Sequence, residues 1–102
     1  MLGKHMAHIT EVSIAGMTAS IVSDALPDDG QPLADDIVLG VGGAARTLLQ
    51  LTPRRKVNRV WDLGCGSGVQ AVFAAQHARH VIATDIDPRA IEFTQQTAKQ
   101  NK

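Results

Sequence analysis

The residues of this chain with the types and spacing to do chemistry are two aspartates and the glycines between them. Asp62-Leu63-Gly64-Cys65-Gly66-Ser67-Gly68 stands where a strand hands over to a helix, and Asp85 follows one helix later, at the end of the next strand. Glycines at such a handover serve a tight turn, exposure of backbone to a ligand, and close contact between strand and helix. A dinucleotide-binding turn takes the spacing GxGxxG and sets pyrophosphate on the helix N-terminus. Here glycines 64, 66 and 68 give GxGxG, and position 69 is Val. A carboxylate at Asp62, just before the turn, repels phosphates and attracts a ligand amine. Asp85 is placed to accept both hydroxyls of a ribose. The combination favours a cationic, phosphate-free adenosine ligand.

Each of these residues also has a plainer reading. Asp62 can end a strand and accept amides from the turn, and Asp85 can be a loop carboxylate. Cys65 has no activating acid or base beside it, so it reads as a small loop residue and not a nucleophile. As the only cysteine it excludes an intrachain disulfide and a thiolate metal cluster, and it suits a reducing compartment. His77 and His80 flank a turn around Arg79 without the further ligands a metal site needs, which points to surface or turn packing.

The elements that must hold these residues can be read around them. Val57 to Leu63 has the β-branched and aromatic content of a strand, ended by Gly64. Ser67 to His77 reads as a helix with Val72 and Phe73 on its buried side. His80 to Thr84 is a short, nearly continuous apolar strand of the kind covered on both faces. Asp87 then serves as N-cap with Pro88 at the first helical position, and Ile91, Phe93, Thr94 and Ala98 supply the inward side through Asn101. Strand, helix, strand, helix is a parallel α/β unit. Upstream, Ile9 to Val22 suggests a hairpin about Gly16. Ser23 to Asp36, rich in Pro, Asp and Gly, reads as an irregular connection. Glycines 40, 42 and 43 precede a helix that ends near Leu51, before Pro53.

The whole chain has 102 residues, enough for one small domain of modest burial. Ten basic and ten acidic side chains leave no net charge, so no general attraction to nucleic acid or membrane follows. The local run Arg54, Arg55, Lys56 and Arg59 fits a solvated loop better than a phosphate contact. Trp61, Phe73 and Phe93 are the only aromatic residues, which leaves packing to small aliphatics. There is no stretch of transmembrane length and no secretory signal, so the expected location is the cytoplasm. The opening MLGKHM, residues 1–6, reads as a remainder of recombinant expression. Residues 7–36 then form the hairpin and connection, and 37–102 the N-terminal part of a cofactor-binding domain.

VWDLGCGSG followed by VIATDIDPRAI resembles the first two motifs of class I S-adenosylmethionine-dependent methyltransferases. The resemblance implies an incomplete Rossmann-like methyltransferase fold, with S-adenosylmethionine as cofactor. It implies that Asp62 lies near the methionyl amine, directly or through water, and that Gly64, Cys65, Gly66 and Gly68 line the methionyl and ribose side. By the same resemblance Asp85 holds the ribose hydroxyls and Ile86 lies against adenine. The upstream VLGVGGA, Val38 to Ala44, is similar to the leading motif of actinobacterial small-domain methyltransferases related to ribosomal RNA and release-factor glutamine methyltransferases. That likeness adds Gly42, in a loop that closes on the methionyl end. The implied reaction is methyl transfer to a nitrogen of a macromolecule, ribosomal RNA or protein. The later motif, often Asn-Pro-Pro-Tyr where an amino group is methylated, is not in this chain, so the chain alone is expected to be inactive. Two other readings stand beside this one: a nicotinamide- or flavin-dependent oxidoreductase, disfavoured by the glycine spacing and Asp62, and a noncatalytic fragment. An exposed edge at strand 57–63 leads to an expectation of self-association or strand exchange.

Overall fold

The computed structural model describes residues 7–25, 32, 35 and 37–101. The expression remainder read at residues 1–6, and most of the connection read at 23–36, lie outside the described residues. The fold begins with a hairpin of β1 (Ala7–Ile14) and β2 (Met17–Asp24), paired antiparallel with Ile14 opposite Met17. Ala15 and Gly16 form its two-residue turn, both at positive φ (50° and 80°). Two positive φ values in succession give the turn a twist that matches the right-handed twist of the strands. Val12, Ile14, Ala19 and Ile21 then face one core.

After Val38 come α1 (Gly43–Leu51), β3 (Val57–Leu63), α2 (Val69–Ala74), β4 (Ala78–Thr84) and α3 (Pro88–Gln100). Strands β3 and β4 are parallel, with Trp61 opposite Ile82 and Leu63 opposite Thr84. The arrangement is a partial Rossmann-like α/β fold preceded by an antiparallel hairpin, the expected class. Leu49, Val69 and Phe73 close the hairpin core, and Val22, Val38, Ala90 and Phe93 form a second cluster beside it. Burying such side chains contributes roughly 1.5–3 kcal/mol each, so the hairpin and the α/β unit stabilise one another.

Side chains of α3 occupy the outer edge of β2. Asn101 accepts from the Ser20 N–H (2.8 Å) and donates to the Ser20 carbonyl (2.7 Å), as a neighbouring strand would. The Val22 N–H donates to the Thr97 hydroxyl (2.9 Å), and the Asp24 N–H to the Val38 carbonyl (3.0 Å). An edge filled in this way offers little to an additional strand. Asp24 itself is buried. It accepts from the Val38 N–H (2.8 Å) and receives both terminal nitrogens of Arg89 (2.9 and 2.6 Å), which fastens the end of β2 to the first turn of α3. The Arg89 guanidinium lies 5.4 Å from the centre of the Phe93 ring.

Several boundaries and faces differ from the sequence reading. The helix expected over Ser67–His77 is the shorter α2, because Gly68 is left-handed (φ 87°) and still belongs to the turn. At the other end Gln76 and His77 donate to Phe73 and Ala74 in a tighter, three-residue pattern. The strand expected at His80–Thr84 begins at Ala78 and is not covered on both faces. Helices α2 and α3 cover the face of Val60, Asp62, Val81 and Ala83. On the other face Trp61 (66% exposed), Leu63 (76%) and Ile82 (53%) stand open among the described residues. The inward side of α3 is Ala90, Phe93 and Thr97, whereas Ala98 is exposed and Ile91 and Thr94 are half-buried. The start fixed by Asp87, which accepts from the Arg89 N–H (2.9 Å), sets that phase.

Candidate functional site

The turn between β3 and α2 needs glycine for two different reasons. Gly64 and Gly66 have positive φ (74° and 54°), and a Cβ at either would meet no protein atom within 4 Å. Their surroundings are open, which leaves that side of the turn accessible to a ligand. Gly68 also has positive φ, but a Cβ there would come within 3.1 Å of the Thr94 backbone and side chain. Its role is close approach of the turn to α3. The turn leaves β3 fastened to the end of β4, where the Gly64 and Cys65 N–H groups share the Thr84 carbonyl (2.8 and 2.9 Å).

Asp85 follows directly. Its Oδ2 accepts from the Gly66 N–H and its Oδ1 from the Asp87 N–H, both at 2.9 Å. An ionised carboxylate has about four acceptor positions, so these two bonds fix its orientation and leave capacity for two more donors. Next to it Ile86 is fully exposed (102%). Leu63, Gly64, Thr84, Asp85 and Ile86 line an open cleft of about 420 Å³ that joins polar acceptors to apolar wall.

Asp62 lies on the opposite side of the turn. Its Oδ2 accepts from the Ala71 N–H (3.1 Å) in the first turn of α2, whose own N-cap, Gly68, supplies no side chain. The plainer reading of Asp62 as an acceptor of local amides therefore holds for one of its oxygens. Burial pushes the Asp62 carboxyl above its ordinary value, the Ala71 bond works against that, and the Asp85 charge raises it further. A half-buried Asp62 whose ionisation the Asp85 charge opposes across a glycine turn is a setting that a cation relieves.

Cys65 is buried, and burial pushes its thiol pKa up despite the bond from Thr94. It is held as a neutral thiol, an inert packing residue of the turn. Gly42 stands apart from this group. It is the N-cap of α1 and, with His8, Thr10, Ser23, Asp24 and Leu39, lines a different cleft of about 430 Å³. The structure thus brings Asp62, Gly64, Cys65, Gly66, Gly68, Asp85 and Ile86 around one turn, and leaves Gly42 on another wall. Nearby Gly40 passes so close to β2 that a Cβ would lie 2.8 Å from the Ser23 hydroxyl.

Arg54 of the basic run and His77 have structural partners. Arg54 donates to the Leu49 carbonyl (2.8 Å) at the end of α1 and lies 3.4 Å from His77 Nε2, while His77 Nδ1 lies 2.9 Å from the Arg55 carbonyl. Two residues escaped the sequence reading of the site. Thr94 donates to the Gly66 carbonyl (2.9 Å) and lies 3.2 Å from the Cys65 sulfur. Thr97 donates to the Ser67 carbonyl (2.7 Å). Their signal was two hydroxyls three residues apart on a helix face that otherwise packs inward, since a buried hydroxyl needs a partner.

Comparison with known proteins gives a consistent picture. Residues 46–102, more than half of the chain, match the family model described as ribosomal protein L11 methyltransferase (PrmA). The chain is 47% identical over 45 residues to a ribosomal protein L11 methyltransferase of Chromohalobacter salexigens, covering 43% of this chain and 15% of that protein. It is 56% identical over 43 residues to one from Hydrogenovibrio crunogenus, covering 41% and 15%. Over 84 residues it is 36% identical to one from Herpetosiphon aurantiacus, covering 70% and 26%. The chain spans about a quarter or less of the length of these relatives.

Proposed function

Since the chain belongs to the ribosomal protein L11 methyltransferase (PrmA) family, we propose that it is the S-adenosylmethionine-binding opening of an enzyme that methylates a nitrogen of a macromolecule, a ribosomal protein first among the candidates. The observation that carries the proposal is Asp85: a carboxylate oriented by two backbone amides, with acceptor capacity left over, beside a fully exposed Ile86. The residues fit the cofactor. Asp85 would take the two ribose hydroxyls and Ile86 the adenine face. Gly64 and Gly66 expose backbone on the methionyl and ribose side, with Cys65 and Gly68 completing the turn. Asp62 would meet the methionyl amine, directly or through water, and that positive charge would favour the ionised carboxylate that burial and Asp85 disfavour. Gly42 belongs to the proposal as part of a segment that closes on the methionyl end.

S-adenosylmethionine, when bound, supplies a methyl group made electrophilic by its sulfonium. The chain's own work is then to bind, orient and exclude water, and no proton transfer by these residues is required. The family match begins after Gly42, at residue 46. The likeness to the Herpetosiphon aurantiacus protein covers 70% of the chain and so takes in Val38–Ala44 as well. The similarity of that segment to actinobacterial small-domain methyltransferases, related to ribosomal RNA and release-factor glutamine methyltransferases, adds ribosomal RNA only as a second candidate acceptor. A cytoplasmic site of action follows from such acceptors. Among the described residues no helix is long and apolar enough to cross a membrane.

The proposal has a second part, self-association of this chain. The open face of Trp61, Leu63 and Ile82 and the outer edges of the β3–β4 pair favour it. Sedimentation across a range of concentration should reveal mass growing with concentration, and a compact monomer throughout would refute this part. The cofactor reading is tested by calorimetric titration with S-adenosylhomocysteine, with NADH as competitor. Asp85→Ala should weaken binding far more than His80→Ala, and equal affinities would remove Asp85 from the site.

A further inference from the structure

One face of α3 reaches both the hairpin edge and the glycine turn. Thr94, Thr97 and Asn101 are spaced three and four residues apart, so they lie along one side of the helix. Toward the turn, Thr94 donates to the Gly66 carbonyl (2.9 Å) and Thr97 to the Ser67 carbonyl (2.7 Å). Toward the hairpin, Thr97 accepts from the Val22 N–H (2.9 Å), and Asn101 brackets Ser20 while donating to the Thr97 carbonyl (2.6 Å). The Thr97 side chain is buried, and its one hydroxyl proton goes to Ser67 while its oxygen receives Val22.

Two consecutive carbonyls of the glycine turn are thus drawn back onto α3. Because a trans peptide is planar, holding the 66–67 carbonyl toward α3 directs the Ser67 N–H to the opposite side of the turn. The same turn is held in front by Asp85 through the Gly66 N–H. Gly68 lies flat against Thr94, with no room for a side chain. The conformation of the turn depends on α3 at the rear as much as on Asp85 at the front.

We propose that Thr97 is a positioning residue for the cofactor-binding turn, and that its single hydroxyl couples docking of the β1–β2 hairpin to the ligand-binding shape of residues 64–68. The coupling to ligand rests on the cofactor reading above; the tie between hairpin and turn does not. If the hairpin edge shifts at Val22, Thr97 loses the acceptor role that fixes its rotamer, and the Ser67 carbonyl loses its donor. Occupancy of the turn by ligand stabilises the hairpin contact through the same bond, as linkage requires.

The test compares Thr97→Val, which has nearly the same shape without a hydroxyl, with Thr97→Ser, which keeps it. Val12→Ala is the control, a change in the hairpin core that removes stability without touching the tie. S-adenosylhomocysteine should bind Thr97→Val about 5- to 30-fold more weakly than the unaltered chain, and Thr97→Ser within about twofold. Val12→Ala should leave affinity unchanged under conditions where the chain stays folded. Hydrogen exchange supplies the ligand-independent readout. In Thr97→Val the Val22 amide and the Gly66 and Gly68 amides should lose protection together, while the Thr52 amide at the end of α1 keeps its own. Unchanged affinity in Thr97→Val, or loosening of Val22 with no change at Gly66 and Gly68, would overturn the proposal. If the unaltered chain binds no S-adenosylhomocysteine, the cofactor reading fails in this chain, and the exchange pattern still decides whether the tie exists.

Discussion

Replacing Asp62 by Asn should strengthen the fold and weaken the ligand, and the opposite signs make the prediction sharp. In the folded chain the Asp62 carboxyl is raised above the ordinary 3.8, first by burial and further by Asp85. A raised acid holds its proton longer folded than unfolded, so stability falls as pH rises from about 3.8 through the folded value, and stays lower above it. Asn removes that loss while its amide oxygen still accepts from the Ala71 N–H. Because Asp62 is only half-buried, water screens the penalty, and the gain at neutral pH should be below about 1 kcal/mol. At pH values under the unfolded aspartate range the two chains should be equally stable. On the ligand side, a charge-assisted bond to an amine contributes about 1.5–3 kcal/mol and a neutral one about 0.5–1.5. The difference of about 1–2 kcal/mol corresponds to roughly 5- to 30-fold weaker binding. Urea unfolding over a pH series measures the first effect and calorimetric titration with S-adenosylhomocysteine the second. An Asn variant that is less stable at neutral pH and binds equally well would show that Asp62 is only a cap for α2, and the electrostatic argument would be wrong.

The two kinds of glycine should separate in the same assays. Gly64→Ala meets no protein atom and should lose about 1–2 kcal/mol of stability for its left-handed backbone, while the new methyl projects into the cleft and reduces ligand affinity. Gly68→Ala adds a contact with the Thr94 backbone to the same backbone cost and should lose roughly 2–4 kcal/mol in a thermal or urea melt. Comparable losses in both would contradict the distinction. Ala15 holds positive φ in the hairpin turn, so Ala15→Asn should raise stability by about 1 kcal/mol; a drop in the urea midpoint would refute the strain. Asp24→Ala removes the buried carboxylate that accepts from both terminal nitrogens of Arg89 and from the Val38 N–H, and should cost about 1.5–3 kcal/mol. Proteolysis or circular dichroism would detect the unfolding, and a near-neutral effect would mean that the pair contributes little to docking the hairpin.

What the sequence by itself determined was local. The Ala15-Gly16 hairpin, the Asp87-Pro88 helix start, the glycine turn and the aspartates on either side of its helix each follow from residues within a few positions of one another. Backbone dihedral preferences and capping act at that range, so they are written in adjacent residues. Tertiary structure decided which faces became interior. Thr97, not Ala98, turned inward because β2 presents the Val22 amide to it, a partner that nothing near residue 97 announces, and Ala90, not Ile91, because it packs with Val22, Val38 and Phe93. The continuous apolar run His80–Thr84 was compatible with burial on both faces, yet Ile82 lies open beside Trp61 because the packed helices lie on one side. Asp62 and Asp85 were legible as site candidates. That Asp62 accepts a local amide is among its plainer readings, whereas the hydroxyls of α3 that hold the turn from behind depended on contacts between segments far apart in the chain. A burial partner is a property of the folded assembly of elements, and single-residue preference carries no address for it.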